Sequence, residues 1–174
     1  MIKFLNISLI FILSFFNLNA QTIMLDKDES YIKYDAKHVL HAWEGINKNI
    51  KGVIVKDKKI EKIAIAAQVV DFDSGNSGRD AHSLEVLEAL KFPSIKFYSE
   101  KIKTQGDVVI FDGEVEFHGQ KKPILVYSTL NEEEDSIVIN GKFTLIPSEF
   151  LIELPSFMLV KMEDFINIQF ELRF

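Results

Sequence analysis

The chain has 174 residues, 26 acidic against 20 basic, a net charge of −6 and no cysteine. An acidic chain without a Lys/Arg cluster is poorly built for nucleic acid or for anionic membrane surfaces. The missing thiol excludes a disulfide scaffold, thiolate metal ligands and lipoprotein acylation.

The first residues read as a leader. Lys3 precedes an apolar run from Phe4 to Phe16, followed by Asn17-Leu18-Asn19-Ala20. That is the layout of a secretory signal peptide, cleaved after Ala20, although Leu18 is larger than usual near the cut. The run is short for a membrane span, which disfavours an uncleaved anchor. Removing 20 residues from 174 leaves 154, and losing Lys3 moves the charge from −6 to −7. Residues 21–174 then form one domain, large enough for a substantial core held by packing alone.

Tyr31–Ala36, His41–Asn47 and Asn49–Val55 are strand candidates, and Ile60–Phe72 places Ile63, Ile65, Ala67 and Val69 on one face. Asp71 and Asp73 sit at its end before a Gly/Ser loop, where they read as loop caps more simply than as paired catalytic acids. Ser77-Gly78-Arg79-Asp80 reads as a capping-box-like helix start with Ser77 as the cap. Leu84, Val86, Leu87 and Leu90 give a helix over about 78–90 an apolar face, and Phe92-Pro93 ends it. Arg79 and His82 share one side of the first turn, where unpaired N–H groups favour an anion or polar head group. The simpler reading is that Arg79 pairs with Asp71, Asp73 or Asp80, and His82 donates to a backbone carbonyl.

Ile95–Thr104 and Val108–His118 flank the turn Gln105-Gly106-Asp107. Gly119–Lys122 is the next turn, and Pro123–Leu130 a strand that starts on its proline. Asn131–Ser136 is an acidic tip, Ser136–Ile146 a strand, Pro147–Glu163 irregular with a helical turn, and Asn167–Phe174 the closing strand. Alternation nominates Phe111, Val115, Phe117, Ile139, Phe143, Ile168, Phe170 and Leu172 as facing a core or a tunnel, with Gly141 on the same face as Phe143. Eight or nine long strands with short turns suit an antiparallel barrel or sandwich, and a closed barrel leaves no open edge. Such a barrel is filled by its own side chains or holds one small ligand.

The four histidines, His38, His41, His82 and His118, lack metal-site spacing. Trp43 shares a strand face with His41 and Gly45, as plain core or as an amphipathic wall at a ligand mouth. No nucleophile elbow, phosphate loop or paired-acid motif is present, so no catalysis, metal or cofactor is expected. Two alternatives are a small outer-membrane β-barrel and an enzyme built at the barrel mouth. The lysine-dense Lys48–Lys62 stretch, the inserted helix and the shortage of Tyr and Trp for two girdles count against the first.

Three segments stand out together: Tyr34–Gly45; Ser74–His82 with Leu84-Glu85-Val86-Leu87 and Phe92–Phe97; and Gly113–Gly119 with Lys121 and Lys122. They resemble the YceI-like family of exported, lipocalin-like lipid-binding proteins. Gly78 departs from the family, which tends to carry Asn before the Arg-Asp pair. The resemblance implies an all-β fold, an eight-stranded antiparallel lipocalin-like barrel with one short helix near one end and a long apolar tunnel. It implies a periplasmic or secreted protein that holds a long-chain isoprenoid or fatty-acyl lipid without catalysis, with no nucleic acid partner and no stable membrane insertion. The oligomeric state stays open, a homodimer included. The ligand-binding candidates are His38, His41, Trp43, Arg79, His82, Phe111, Phe117, Phe143 and Phe170.

Overall fold

The structure is a computed structural model that describes residues 20–174. The leader segment read from the sequence lies outside the described residues, apart from Ala20. Strands β1 (Gln21–Met24), β2 (Asp26–His38), β3 (His41–Asn47), β4 (Ile50–Lys56) and β5 (Ile60–Gln68) precede helix α1 (Ser77–Val86). Strands β6 (Ser94–Gln105), β7 (Val108–Phe117), β8 (Gln120–Glu132) and β9 (Ile137–Leu145) follow. A small hairpin of β10 (Ser156–Phe157) and β11 (Val160–Lys161) leads to β12 (Ile166–Arg173).

One antiparallel ladder runs β1-β4-β5-β6-β7-β8-β9-β12-β2-β3. It has ten strands where eight were expected, and the reason is local. β1 continues into β2 through the single residue Leu25, and β3 into β4 through Lys48-Asn49. Each pair is one long strand with a bend, so ten strands trace an eight-stranded wall whose two ends are joined by the chain itself. The second bend is built by Asn47, fully buried, whose amide donates to the Gln68 carbonyl (3.1 Å) and whose Oδ1 accepts from Asn49 N (2.7 Å). An Asn side chain that satisfies nearby backbone groups competes with the ladder and interrupts it.

The turns after β4, β6 and β8 gather at one end, and the helix, the long connections and the turns after β2 and β7 at the other. At the first end Ile54, Ile60, Val109, Ile139 and Phe174 form a floor with little exposed surface. At the other end Val115, Phe117, Leu145, Phe150 and Ile152 form a second cluster, on which Val86 and Leu87 pack. The wall forks here: β8 pairs with β9 only between Ser128↔Gly141 and Glu132↔Ile137, and the 3₁₀ turn Pro147–Phe150 contacts β8 beyond the fork. The fork explains Pro123. It lies inside β8, not at its start, but on a stretch paired on one side only, where its missing N–H costs no ladder bond.

The helix differs from the expectation at both ends. Its N-cap is Asn76, not Ser77: Asn76 is extended, and its Oδ1 accepts from Gly78 N (3.1 Å) and Arg79 N (3.0 Å). Asp80 does not close a capping box but accepts from Ser74 N (3.2 Å). The helix ends at Val86, because Leu87 caps it and Glu88 takes φ +45°, which leaves Leu90 wholly exposed. The turn after β7 is His118-Gly119, with φ of +49° and +71°, a two-residue hairpin turn that starts β8 at Gln120, earlier than expected.

Candidate functional site

Between the floor and the second cluster lies a cavity of about 90 Å³. Its lining is apolar apart from Lys96, whose ammonium turns outward to Glu116 at 3.0 Å. Ile63, Ile65 and Ala67 of β5, Ile95 and Phe97 of β6, Phe111 and Val115 of β7, and Val126 of β8 form one side. Phe143 and Leu145 of β9, Ile168, Phe170 and Leu172 of β12, and Ile32 of β2 form the other. An interior with no polar partner for water stays dry and favours an apolar guest.

Three inward glycines shape this interior. A Cβ at Gly141 would fall within 3.0 Å of the Phe170 ring, one at Gly113 2.7 Å from Phe97 Cζ, and one at Gly45 2.7 Å from Tyr34 Cζ. Each ring lies over a glycine of a neighbouring strand and so hugs the wall instead of crossing the axis. Gly141 therefore faces the interior as expected, but it is the seat of Phe170 and not free tunnel wall.

Beyond the apolar lining, towards the loop end, polar groups lie next to Phe72. Phe72 closes the cavity beside Tyr34, with ring centroids 5.8 Å apart. Burial pushes the Tyr34 phenol pKa up from its ordinary value, Asp80 adds to this, and Arg79 and a hydrogen bond with Trp43 oppose it. Tyr34, Trp43, Arg79 and Asp80 thus form a polar rim above an apolar space.

The nine candidates separate. Phe111, Phe143 and Phe170 line the cavity. Phe117 does not: it lies nearer the loop end, 5.5 Å from the Phe150 ring, inside the second cluster. Trp43 belongs to the rim. His41 stacks between His38 (5.6 Å) and Trp43 (5.4 Å). Arg79 and His82 are not brought together. Arg79 donates through Nε to Ser74 Oγ (2.9 Å), not to the three aspartates, and exposed His82 faces Glu85 at 3.6 Å. His38 and His118 are buried and tied to backbone, through Nε2 to the Val160 carbonyl (2.9 Å) and through Nδ1 to the Phe150 carbonyl (3.0 Å). Asp71 and Asp73 accept from Asn49 Nδ2 (2.9 Å) and Gly75 N (2.7 Å), as loop caps do. Among the described residues no three His, Asp or Glu side chains converge as a metal site.

Sequence reasoning missed Tyr34 and Phe72 as site residues. Phe97 and Ile95 were legible as an alternating pair on β6, but nothing in the sequence ranked them above other inward residues.

The outer face carries cross-strand ion pairs, Lys96–Glu116 (3.0 Å) and Lys121–Glu114 (3.2 Å), where a lipid-embedded barrel presents an apolar belt. Among the described residues no helix is long and apolar enough to cross a membrane.

A small antiparallel barrel curled around an apolar interior, with a helix over one end, defines the class of lipocalin-like barrels. Within that class the chain belongs to the YceI-like family, whose domain model matches residues 24–174. Protein YceI of Salmonella newport (strain SL254) is 26% identical over 119 residues, 64% of this chain and 62% of that protein. BcnA of Burkholderia cenocepacia superposes with a TM-score of 0.78 at 18% identity, covering 86% of this chain and 99% of that one. A polyisoprenoid binding domain from Saccharophagus degradans, implicated in plant cell wall breakdown, superposes at 0.72 with 11% identity, over 88% and 97% of the two chains. At these identities the two superpositions describe the fold.

Proposed function

We propose that this protein is an exported carrier that holds one long apolar chain, of isoprenoid or fatty-acyl type, in the barrel and performs no chemistry on it. The observation that carries the reading is the apolar cavity beneath a polar rim, in a YceI-like barrel. The polyisoprenoid binding domain with the same fold supports the choice of ligand class. An apolar chain would lie among Phe111, Phe143 and Phe170, and its polar end would meet Tyr34 and Trp43. At roughly 10–15 Å³ per water-sized sphere, about 90 Å³ takes only a short stretch of chain. A longer ligand therefore requires the wall-hugging rings or the covering helix to move.

The test is mass spectrometry of lipid extracted from protein purified from its source, with the N-terminus sequenced on the same sample. One long-chain lipid per protein and a mature start at Gln21 are expected. Protein that carries no lipid and takes up neither a polyprenol nor a fatty acid in solution refutes the carrier reading, and a retained Met1 refutes export.

A further inference from the structure

We infer that the loop end of the barrel docks on a lipid bilayer by inserting two neighbouring hairpin tips, Val39-Leu40 and Met158-Leu159. These are among the most exposed large aliphatic residues described: Leu159 is fully exposed, Met158 74%, Val39 67% and Leu40 61%. They belong to hairpins far apart in sequence that the fold holds side by side. His38 ties them together, its Nε2–H donating to the Val160 carbonyl (2.9 Å) while Nδ1 accepts from Leu40 N (3.3 Å). Glu163 N donates to the Lys37 carbonyl (2.9 Å), and the two side chains pair at 3.1 Å.

The second tip is costly twice over. Met158 and Leu159 take φ of +51° and +67°, a turn that favours Asn-Gly, and they expose their side chains besides. Strain combined with exposure at one spot is a mark of function. The occupant follows from shape and size. Projecting tips fit no groove, and four side chains fall short of the roughly 800 Å² per partner of a standard protein interface. Short aliphatic tips suit the interfacial layer of a bilayer, which needs no matching surface. The tips also leave the barrel at the end where the cavity meets its polar rim, so docking would bring that mouth to the membrane. This last step rests on the carrier reading. The chain's acidity gives no attraction to anionic head groups, so zwitterionic lipid is the partner.

The experiment is flotation of the protein with phosphatidylcholine/phosphatidylethanolamine vesicles, read in parallel by Trp43 fluorescence. Trp43 is the only Trp in the chain and lies on the first hairpin. Wild type should float and its emission should shift to the blue. Leu40→Asp and the double variant Met158→Asn/Leu159→Gly should each lose about tenfold or more in partitioning. The double variant should melt no lower than wild type, because its turn is relieved. Ala67→Phe, which fills the cavity, should stop lipid uptake and still float, so a failed carrier reading stays distinguishable from failed docking. Wild type that stays in solution, tip variants that float as well as wild type, or a dimer in ultracentrifugation that the tip variants dissolve would each overturn the inference.

Discussion

Gly141→Ala is the most direct probe of how this interior is built. The new methyl would lie 2.6 Å from Ser128 Oγ and 2.9 Å from Phe170 Cε1, closer than real Cβ contacts come. Backbone cannot give easily, because Gly141 pairs with Phe170 on β12 and with Ser128 on β8. The ring must therefore leave the wall, and the space open to it is the cavity it lines. Overpacking of this kind costs about 1–3 kcal/mol. Replacing Gly by Ala inside a strand returns about 0.5–1 kcal/mol of backbone entropy. At the middle of these ranges the net loss is about 1 kcal/mol, read by urea unfolding as a midpoint lowered by roughly 0.5 M at a slope of about 2 kcal/mol/M. The same displacement should weaken uptake of an apolar probe. Phe170→Leu in the Gly141→Ala background should recover part of both, with a coupling of about 1 kcal/mol in a double-mutant cycle. A variant as stable as wild type that binds as well, or a loss that Phe170→Leu leaves untouched, would show that Phe170 does not lean on Gly141.

Asn76→Ala should cost about 1 kcal/mol in thermal or chemical unfolding while Ser77→Ala stays within a few tenths, and the reverse ranking refutes the assignment of the cap. Phe111→Ala, which empties a site 1% exposed at the junction of cavity and floor, should cost about 3–5 kcal/mol, and a cost under 1 kcal/mol would mean that the interior collapses freely. Tyr34 carries a phenol pKa raised in the folded state above its ordinary 10.0, so its contribution is fully present below that pH and is lost as pH rises through the folded value. Tyr34→Phe should flatten the alkaline limb of the stability profile, and an unchanged limb counts against a buried phenol. At the acid end, Glu116, held low by Lys96, and Glu133, held low by Arg173, lose their contribution as pH falls through their depressed values. Glu133 is exposed and Glu116 partly so, and salt should shrink that loss.

Alternation made most of the wall legible, because a half-buried strand repeats its faces every two residues whatever its partners are. β12 shows this best, with Ile168, Phe170 and Leu172 all inward on the cavity. β1 escaped because Gln21–Met24 offers too few residues for a period, and β10 with β11 for the same reason. Period says which face a residue takes but not its height along the axis. Phe117 and Phe143 follow the same rule and part company for that reason, one under Phe150 and the other on the cavity. Glycine seats depend on cross-strand register, which no single strand carries: Phe170 meets Gly141 only because β12 pairs with β9 in that register. The cap was misassigned because Asn76 and Ser77 are both good caps, and only backbone geometry decides between them.

The two ends of the barrel differ in what opening them would cost. The floor is made of Ile54, Ile60, Val109 and Ile139, with 0–1% exposure, on strands paired along both sides. Parting them breaks ladder bonds and a packed core together. The loop end is closed by a helix with no fully buried residue, resting on Val86 and Leu87, beside a fork where β8 and β9 no longer pair. Elements with few buried contacts open at the lowest free energy. On the carrier reading, a ligand larger than the resting cavity would enter past the helix and the fork, and floor substitutions should change stability without changing exchange. Stability and exchange should then separate along the barrel axis, and Phe170, seated over Gly141 on the cavity wall, is the residue expected to influence both.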